Sequence, residues 1–240
     1  MNHKLEFFES IKEAAEDLFQ RLALGPSKTI GPTTAWGSPS PGVPGPEAPQ
    51  DTVVVLDVSG SMGCSDYHPT RLDGGIHAAI AYADTRRKKS PHDRIAVVSF
   101  SDASRVVLSL TPVSATKTIE RALHRLEIEG GTDITTGLQA AAGIFGNEPP
   151  VGHRRCVILL TDGCGGEPLA VAAQLKDRLS VVIDVVGIGG APSAVNEPLL
   201  RQVATTDLGV CHYRFIHDPQ TLSEHYTQLA QGLVWRGERK

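Results

Sequence analysis

Val53-Val54-Val55-Leu56-Asp57-Val58-Ser59-Gly60-Ser61 is the stretch on which the fold reading turns. The four apolar residues at its start read as a strand buried on both faces, the signature of a central strand in a mostly parallel sheet. Directly after them, hard oxygen atoms arrive at alternating positions: a carboxylate at 57 and hydroxyls at 59 and 61. If the segment stays extended, these three side chains point the same way. Hard divalent cations such as Mg²⁺ take oxygen ligands of this kind. The stretch therefore predicts a cation site at the carboxyl end of a central strand, where open α/β sheets bind ligands.

Downstream, strand and helix patterns alternate. Strands are expected over Thr52–Asp57, Arg94–Ser99, Arg105–Leu110, Cys156–Thr161, Val181–Ile188 and, as an edge, Val210–Phe215. Helices are expected over Leu72–Arg87, Val113–Leu126, Ile134–Phe145, Pro168–Leu179, Glu197–Ala204 and Pro219–Trp235. Only residues 100–104 separate the second and third strands, so these two form an antiparallel hairpin. The alternation predicts a doubly wound α/β domain: a mostly parallel six-stranded sheet, one antiparallel edge strand and helices on both faces.

Upstream, residues 5–23 (within a unit 1–24) carry apolar residues at helical spacing: Leu5, Phe8, Ile11, Ala15, Leu18, Phe19 and Leu22. This amphipathic helix docks either on its own domain or on a partner. Residues 25–50 hold seven of the sixteen prolines, a composition that excludes a regular helix or central strand and reads as a tether. The globular domain is expected to run over 51–236.

Bulk properties narrow the function. The net charge of −4 provides no global field for nucleic acid. Cys64, Cys156, Cys164 and Cys211 form no C-x-x-C pair, which disfavours a zinc ribbon and fits reduced thiols. No apolar run reaches the roughly 20 residues that span a bilayer, and the acidic start does not resemble a signal core. A cytoplasmic protein without a membrane partner is expected. Arg86-Arg87-Lys88-Lys89 falls at a helix end, where cations complement the dipole. His153-Arg154-Arg155 reads as a solvated loop. Gly187-Ile188-Gly189-Gly190 lacks the last glycine of a dinucleotide loop and reads as a turn. Ser59-Gly60-Ser61-Met62-Gly63 lacks the first glycine of a hydrolase elbow.

Two further segments match the opening motif in kind. Gly130-Gly131-Thr132-Asp133 precedes a helix, and Leu160-Thr161-Asp162-Gly163 ends a strand. Thr132 alone could be a helix cap, and Asp162-Gly163 alone a turn pair. Together, Asp57, Ser59, Ser61, Thr132 and Asp162 resemble the metal-ion-dependent adhesion site of von Willebrand factor type A domains, whose pattern is D-x-S-x-S, then a distant threonine, then a distant aspartate. The resemblance covers about residues 51–235. It implies that Ser59 and Ser61 ligate the ion directly and that Thr132 does so directly or through water. It assigns Asp57 and Asp162 to bound waters or hydrogen bonds.

Three neutral hydroxyls and two carboxylates leave an octahedral Mg²⁺ open to water. The carboxylates balance its charge, so an incoming Asp or Glu of a partner protein meets no net negative field. The resemblance thus implies a non-enzymatic adaptor that binds a partner carboxylate through Mg²⁺, with Mn²⁺ or Ca²⁺ as alternatives. It extends to bacterial intracellular relatives, the tellurite-resistance type and subunits that work with AAA+ ATPases, and so to partners in such stress-response or signalling complexes. Two other readings of the same site stay open at this point: a metal-dependent phosphohydrolase and a purely structural metal. Asp133 could support the site or only favour its helix, and Asp66, His68 and Asp102 either line the recognition surface or are solvated.

Overall fold

The computed structural model of the chain describes residues 48–147, 152–163 and 165–232. The helix expected at 5–23 and nearly all of the 25–50 tether lie outside the described residues. The main sheet contains β1 (Gln50–Asp57), β2 (Arg94–Phe100), β3 (Ser104–Pro112), β4 (Arg154–Thr161) and β5 (Val181–Ile188). A short pair, β6 (Thr206–Asp207) and β7 (Val210–Cys211), precedes its last strand, β8 (Tyr213–Ile216). The strand order is β3-β2-β1-β4-β5-β8, and only β3 runs antiparallel, paired with β2. The mostly parallel sheet with one antiparallel edge is therefore as the sequence predicts.

β1 is buried along its whole length because both faces are covered. Its side chains alternate between two cores. Val54 and Leu56 join Ile76, Tyr82, Leu222 and Tyr226 on one face. Val53 and Val55 join Ile134, Leu138, Leu175 and Leu200 on the other. The first face is covered by α1 (Arg71–Lys89), α2 (Thr116–Leu123) and α6 (Pro219–Ala230). The second is covered by α3 (Ile134–Asn147), α4 (Leu169–Ala173, continued by a π turn at Gln174–Arg178) and α5 (Glu197–Val203). Among the described residues, no helix is long and apolar enough to cross a membrane.

Three local readings are corrected. The edge strand expected at 210–215 is interrupted at His212, whose N–H donates to the Thr205 carbonyl and whose own carbonyl accepts from Val185. Only β8 then joins the main sheet, while Val210 and Cys211 pair back onto β6. The basic run ending α1 does more than face a dipole. Arg86 is buried against Asp93, and its Nη1 donates to the Ala230 carbonyl at 2.9 Å; Lys89 donates to the Gln231 carbonyl. The C-terminal ends of α1 and α6 are thereby tied together, above the edge-to-face contact of Tyr82 and Tyr226. His153-Arg154-Arg155 is no solvated loop: Arg154 and Arg155 open β4, Arg155 lies over the Phe145 ring, and His153 bonds Asp51 at 2.9 Å.

His225 on α6 yields an acid sensitivity. Burial, with the Arg214 guanidinium beside it, pushes its imidazole down to about 4. The unfolded chain takes up this proton near pH 6.5, so the folded form loses stability as pH falls from 6.5 toward 4. The loss should approach about 3 kcal/mol. His225→Asn keeps an acceptor for Arg214 and removes the proton site. Urea titrations at pH 7 and pH 4.5 should show a smaller difference for the variant; equal differences would exclude His225 as the source.

Candidate metal centre

The carboxyl end of β1 lies beside the ends of β2 and β4, and the loops leaving them are interlocked. Val58 N–H donates to the Phe100 carbonyl at 2.9 Å, Glu129 N–H to Val58 at 2.7 Å, and Gly60 N–H to Gly130 at 3.0 Å. Asp133 N–H donates to the Ser101 carbonyl at 2.7 Å. Backbone hydrogen bonds hold the glycine turn before α3 against the D-x-S-x-S segment. Asp102 adds to this: its Oδ2 accepts the Gly131 N–H at 2.8 Å. Asp102 is thus a loop anchor.

The D-x-S-x-S segment does not stay extended as the sequence suggests. It turns into a 3₁₀ helix at Gly60–Gly63. The turn nevertheless brings the Ser59 and Ser61 hydroxyls to 3.2 Å from each other. Two ligands at right angles on an ion with bonds of about 2.1 Å stand roughly 3 Å apart. The hydroxyl pair therefore fits adjacent corners of a magnesium octahedron.

Asp57 lies beneath them and is fully buried. Its Oδ1 accepts the Ser59 N–H at 2.8 Å and its Oδ2 accepts the Thr161 hydroxyl at 2.6 Å. Thr161 in turn accepts the Gly163 N–H at 3.0 Å. The hydrogen-bond partners of Asp57 are thus neutral donors. Burial pushes its carboxyl up to about 6, the Asp162 charge adding to this and the hydrogen bonds opposing it. A buried carboxylate held only by neutral donors is a place where a cation is favourable.

Thr132 is half-buried at the start of α3. The cap role that it could have taken belongs to Asp133, whose Oδ1 accepts the Thr135 N–H at 2.9 Å. The loop after β4 presses on this turn. Gly165 has φ +140°, and a Cβ there would collide with the Thr132 carbonyl. Among the described residues, no hydrogen bond joins the Thr132 side chain to the other four; the backbone bonds of Gly130 and Asp133 hold its loop beside the D-x-S-x-S segment.

Asp162, nearly buried, is engaged by a residue that the sequence did not single out. Arg71, at the start of α1, donates through Nη1 to Asp162 Oδ2 at 3.0 Å. Its Nε donates to Asp66 Oδ1 at 2.9 Å, and its Nη2 pairs with Asp66 Oδ2. Asp66 is therefore not merely solvated. The arginine holds its carboxyl below the usual range, and its Oδ2 also accepts the Gly190 N–H at 2.9 Å. No local signal marks this triad, because Arg71 and Asp162 are 91 positions apart. The described residues contain no group of three His, Cys, Asp or Glu side chains suited to a metal; the cluster offers hydroxyls with two carboxylates, a donor set for a hard, small cation.

Fold and loop cluster together define a doubly wound, Rossmann-like α/β domain whose loops converge at the carboxyl end of the sheet. Residues 52–165 match the von Willebrand factor type A domain, and the chain carries a domain of that family. An uncharacterized protein of Synechocystis sp. is 36% identical over 189 residues, covering 76% of this chain and 41% of that relative. A UPF0353 protein of Mycobacterium sp. (strain KMS) is 30% identical over 229 residues, covering 83% of this chain and 65% of the relative. The matched region thus spans about two-fifths of the first relative's length. A solved von Willebrand factor type A structure from Catenulispora acidiphila superposes with a TM-score of 0.63 at 23% identity. It covers 78% of this chain and 43% of the other, and shows the fold alone. Domains of this type often serve in protein–protein interaction and adhesion.

Proposed function

We propose that the loops bearing Asp57, Ser59, Ser61, Thr132 and Asp162 form a divalent-cation site through which the domain captures an Asp or Glu carboxylate of a partner protein. Mg²⁺ fits the donor set best, and Mn²⁺ or Ca²⁺ are the alternatives. The observation that carries the reading is the Ser59–Ser61 hydroxyl pair, 3.2 Å apart beside the fully buried Asp57. When bound, the cation would supply positive charge and an open position for the incoming carboxylate.

The chain's own residues support each part of this role. Ser59 and Ser61 present neutral oxygens, which leave a bound cation's charge largely undiminished. Asp57 and Asp162 offset that charge without occupying the outward side. Both carboxylates are tied down, Asp57 by Ser59 and Thr161 and Asp162 by Arg71. Asp57 is fully buried beneath these contacts and Asp162 is paired with Arg71, an arrangement that favours an interaction module over a phosphohydrolase.

Capture of partners from native lysate, in Mg²⁺ and in excess chelator, tests the reading with Ser61→Ala as the control. The wild-type chain should retain its partners only in Mg²⁺. Ser61→Ala should fold with near-normal stability and retain none. Equal capture in chelator sinks metal-mediated adhesion. A Ser61→Ala protein that melts earlier yet still captures would assign the metal a structural role.

A further inference from the structure

Arg71 is a cation already seated at the proposed metal site, so the role assigned to it rests on that reading of the site. Its side chain is buried, at 9% exposure. All three of its guanidinium nitrogens are spent on carboxylates: Nη1 on Asp162, Nε and Nη2 on Asp66. Asp66 is itself fixed by the Gly190 N–H, and the Gly189 backbone closes over the guanidinium, a Cβ there standing 3.8 Å from Cζ. Four segments therefore converge on one arginine: the loop before α1, the first turn of α1, the end of β4 and the turn after β5.

Charge decides what this arrangement does. Asp57 and Asp162 together carry two negative charges, and Arg71 returns one positive charge to the same pocket. A divalent cation entering beside Ser59 and Ser61 is repelled by Arg71 and must share Asp162 with it. The arginine does not have to leave for that to happen, because its paired contact with Asp66 is the stronger anchor. Asp66 would hold Arg71 if a metal engaged Asp162.

We propose that Arg71 competes with the metal for Asp162 and sets the cation affinity of the site, with Asp66 as the anchor that makes the exchange reversible. The metal-free domain keeps Asp162 compensated by the arginine, and metal occupancy loosens the link from β4 to α1.

Calorimetric titration of MgCl₂ into the full chain tests this, using the wild type, Arg71→Gln and Asp66→Asn. Thermal melting with and without Mg²⁺ serves as the second readout. Arg71→Gln removes the competing charge and should bind Mg²⁺ about tenfold tighter or more. Its metal-free form should melt below the wild type, and Mg²⁺ should restore much of the difference. Asp66→Asn, altered at a part-exposed position, weakens the anchor, leaves Arg71 to Asp162 and should bind more weakly than the wild type. If the wild type binds Mg²⁺ while Arg71→Gln binds equally or less tightly, the competition is wrong and the metal site stands. The competition is equally wrong if Asp66→Asn binds as tightly as the wild type or tighter, even should Arg71→Gln fail to fold. If neither the wild type nor Arg71→Gln binds at millimolar Mg²⁺, both the competition and the metal site fall.

Discussion

Arg86→Met should cost the domain about 3–5 kcal/mol, enough to remove a large part of the stability of a typical single domain. Both side chains of the Arg86–Asp93 pair are about 2% exposed. Methionine replaces most of the arginine's volume, so the loss does not come from a cavity. It comes from the stranded Asp93 carboxylate, which among the described residues retains the Gln50 N–H at 2.8 Å on Oδ1, and from the Ala230 carbonyl, which loses its Nη1 donor. Asp93→Asn in the same chain removes the stranded charge and keeps the acceptor for Gln50. Urea denaturation should therefore find the double variant well above Arg86→Met. A double variant no better than the single one would show that packing, and not the unpaired charge, carries the effect.

Asp57→Asn should make the metal-free domain more stable at pH 8 and abolish its response to Mg²⁺. The fold raises the Asp57 carboxyl from 3.8 to about 6, with burial as the main cause. Below pH 4 the group is protonated in both folded and unfolded chains, and it costs nothing. As pH rises through 4 to 6 the unfolded chain releases the proton first, and the penalty builds; above about pH 6 it is complete, on the order of 3 kcal/mol. Asparagine has the same shape and no charge, and its carbonyl can still accept the Ser59 N–H. In chelator, the variant should therefore exceed the wild type at pH 8 and match it at pH 4. Added Mg²⁺ should raise the melting temperature of the wild type and leave the variant unmoved. Equal stability of the two at pH 8 in chelator would show that the buried charge carries no penalty.

The sheet was legible because parallel strands announce themselves locally. Val53–Leu56 is continuous apolar sequence because both of its faces are covered, and the loop at 100–104 is too short for anything but a hairpin. Asp57, Ser59 and Ser61 were legible for the same reason, as oxygens at one strand end. The turn that presents them was not, because Gly60 answers to the Gly130 carbonyl across the cluster. Arg71, Asp66 and Thr161 were hidden for a related cause. Their partners are set by which loops the sheet order brings together, and no spacing within the chain encodes that. The break at His212 belongs to the same class, since its backbone answers to Thr205 and Val185 rather than to its neighbours.

The chain Gln50–Asp93–Arg86–Ala230 has a mechanical consequence. It fastens the first residue of β1 to the last residue of α6, so the described domain begins and ends at one point. That point lies at the foot of β1, roughly 25 Å from the hydroxyl pair at its head. A load applied through the two ends would be taken by the arginine and its aspartate, and the loops around Asp57 would stay slack. Both ends of the described residues therefore stand at the end of the sheet opposite the proposed cation site.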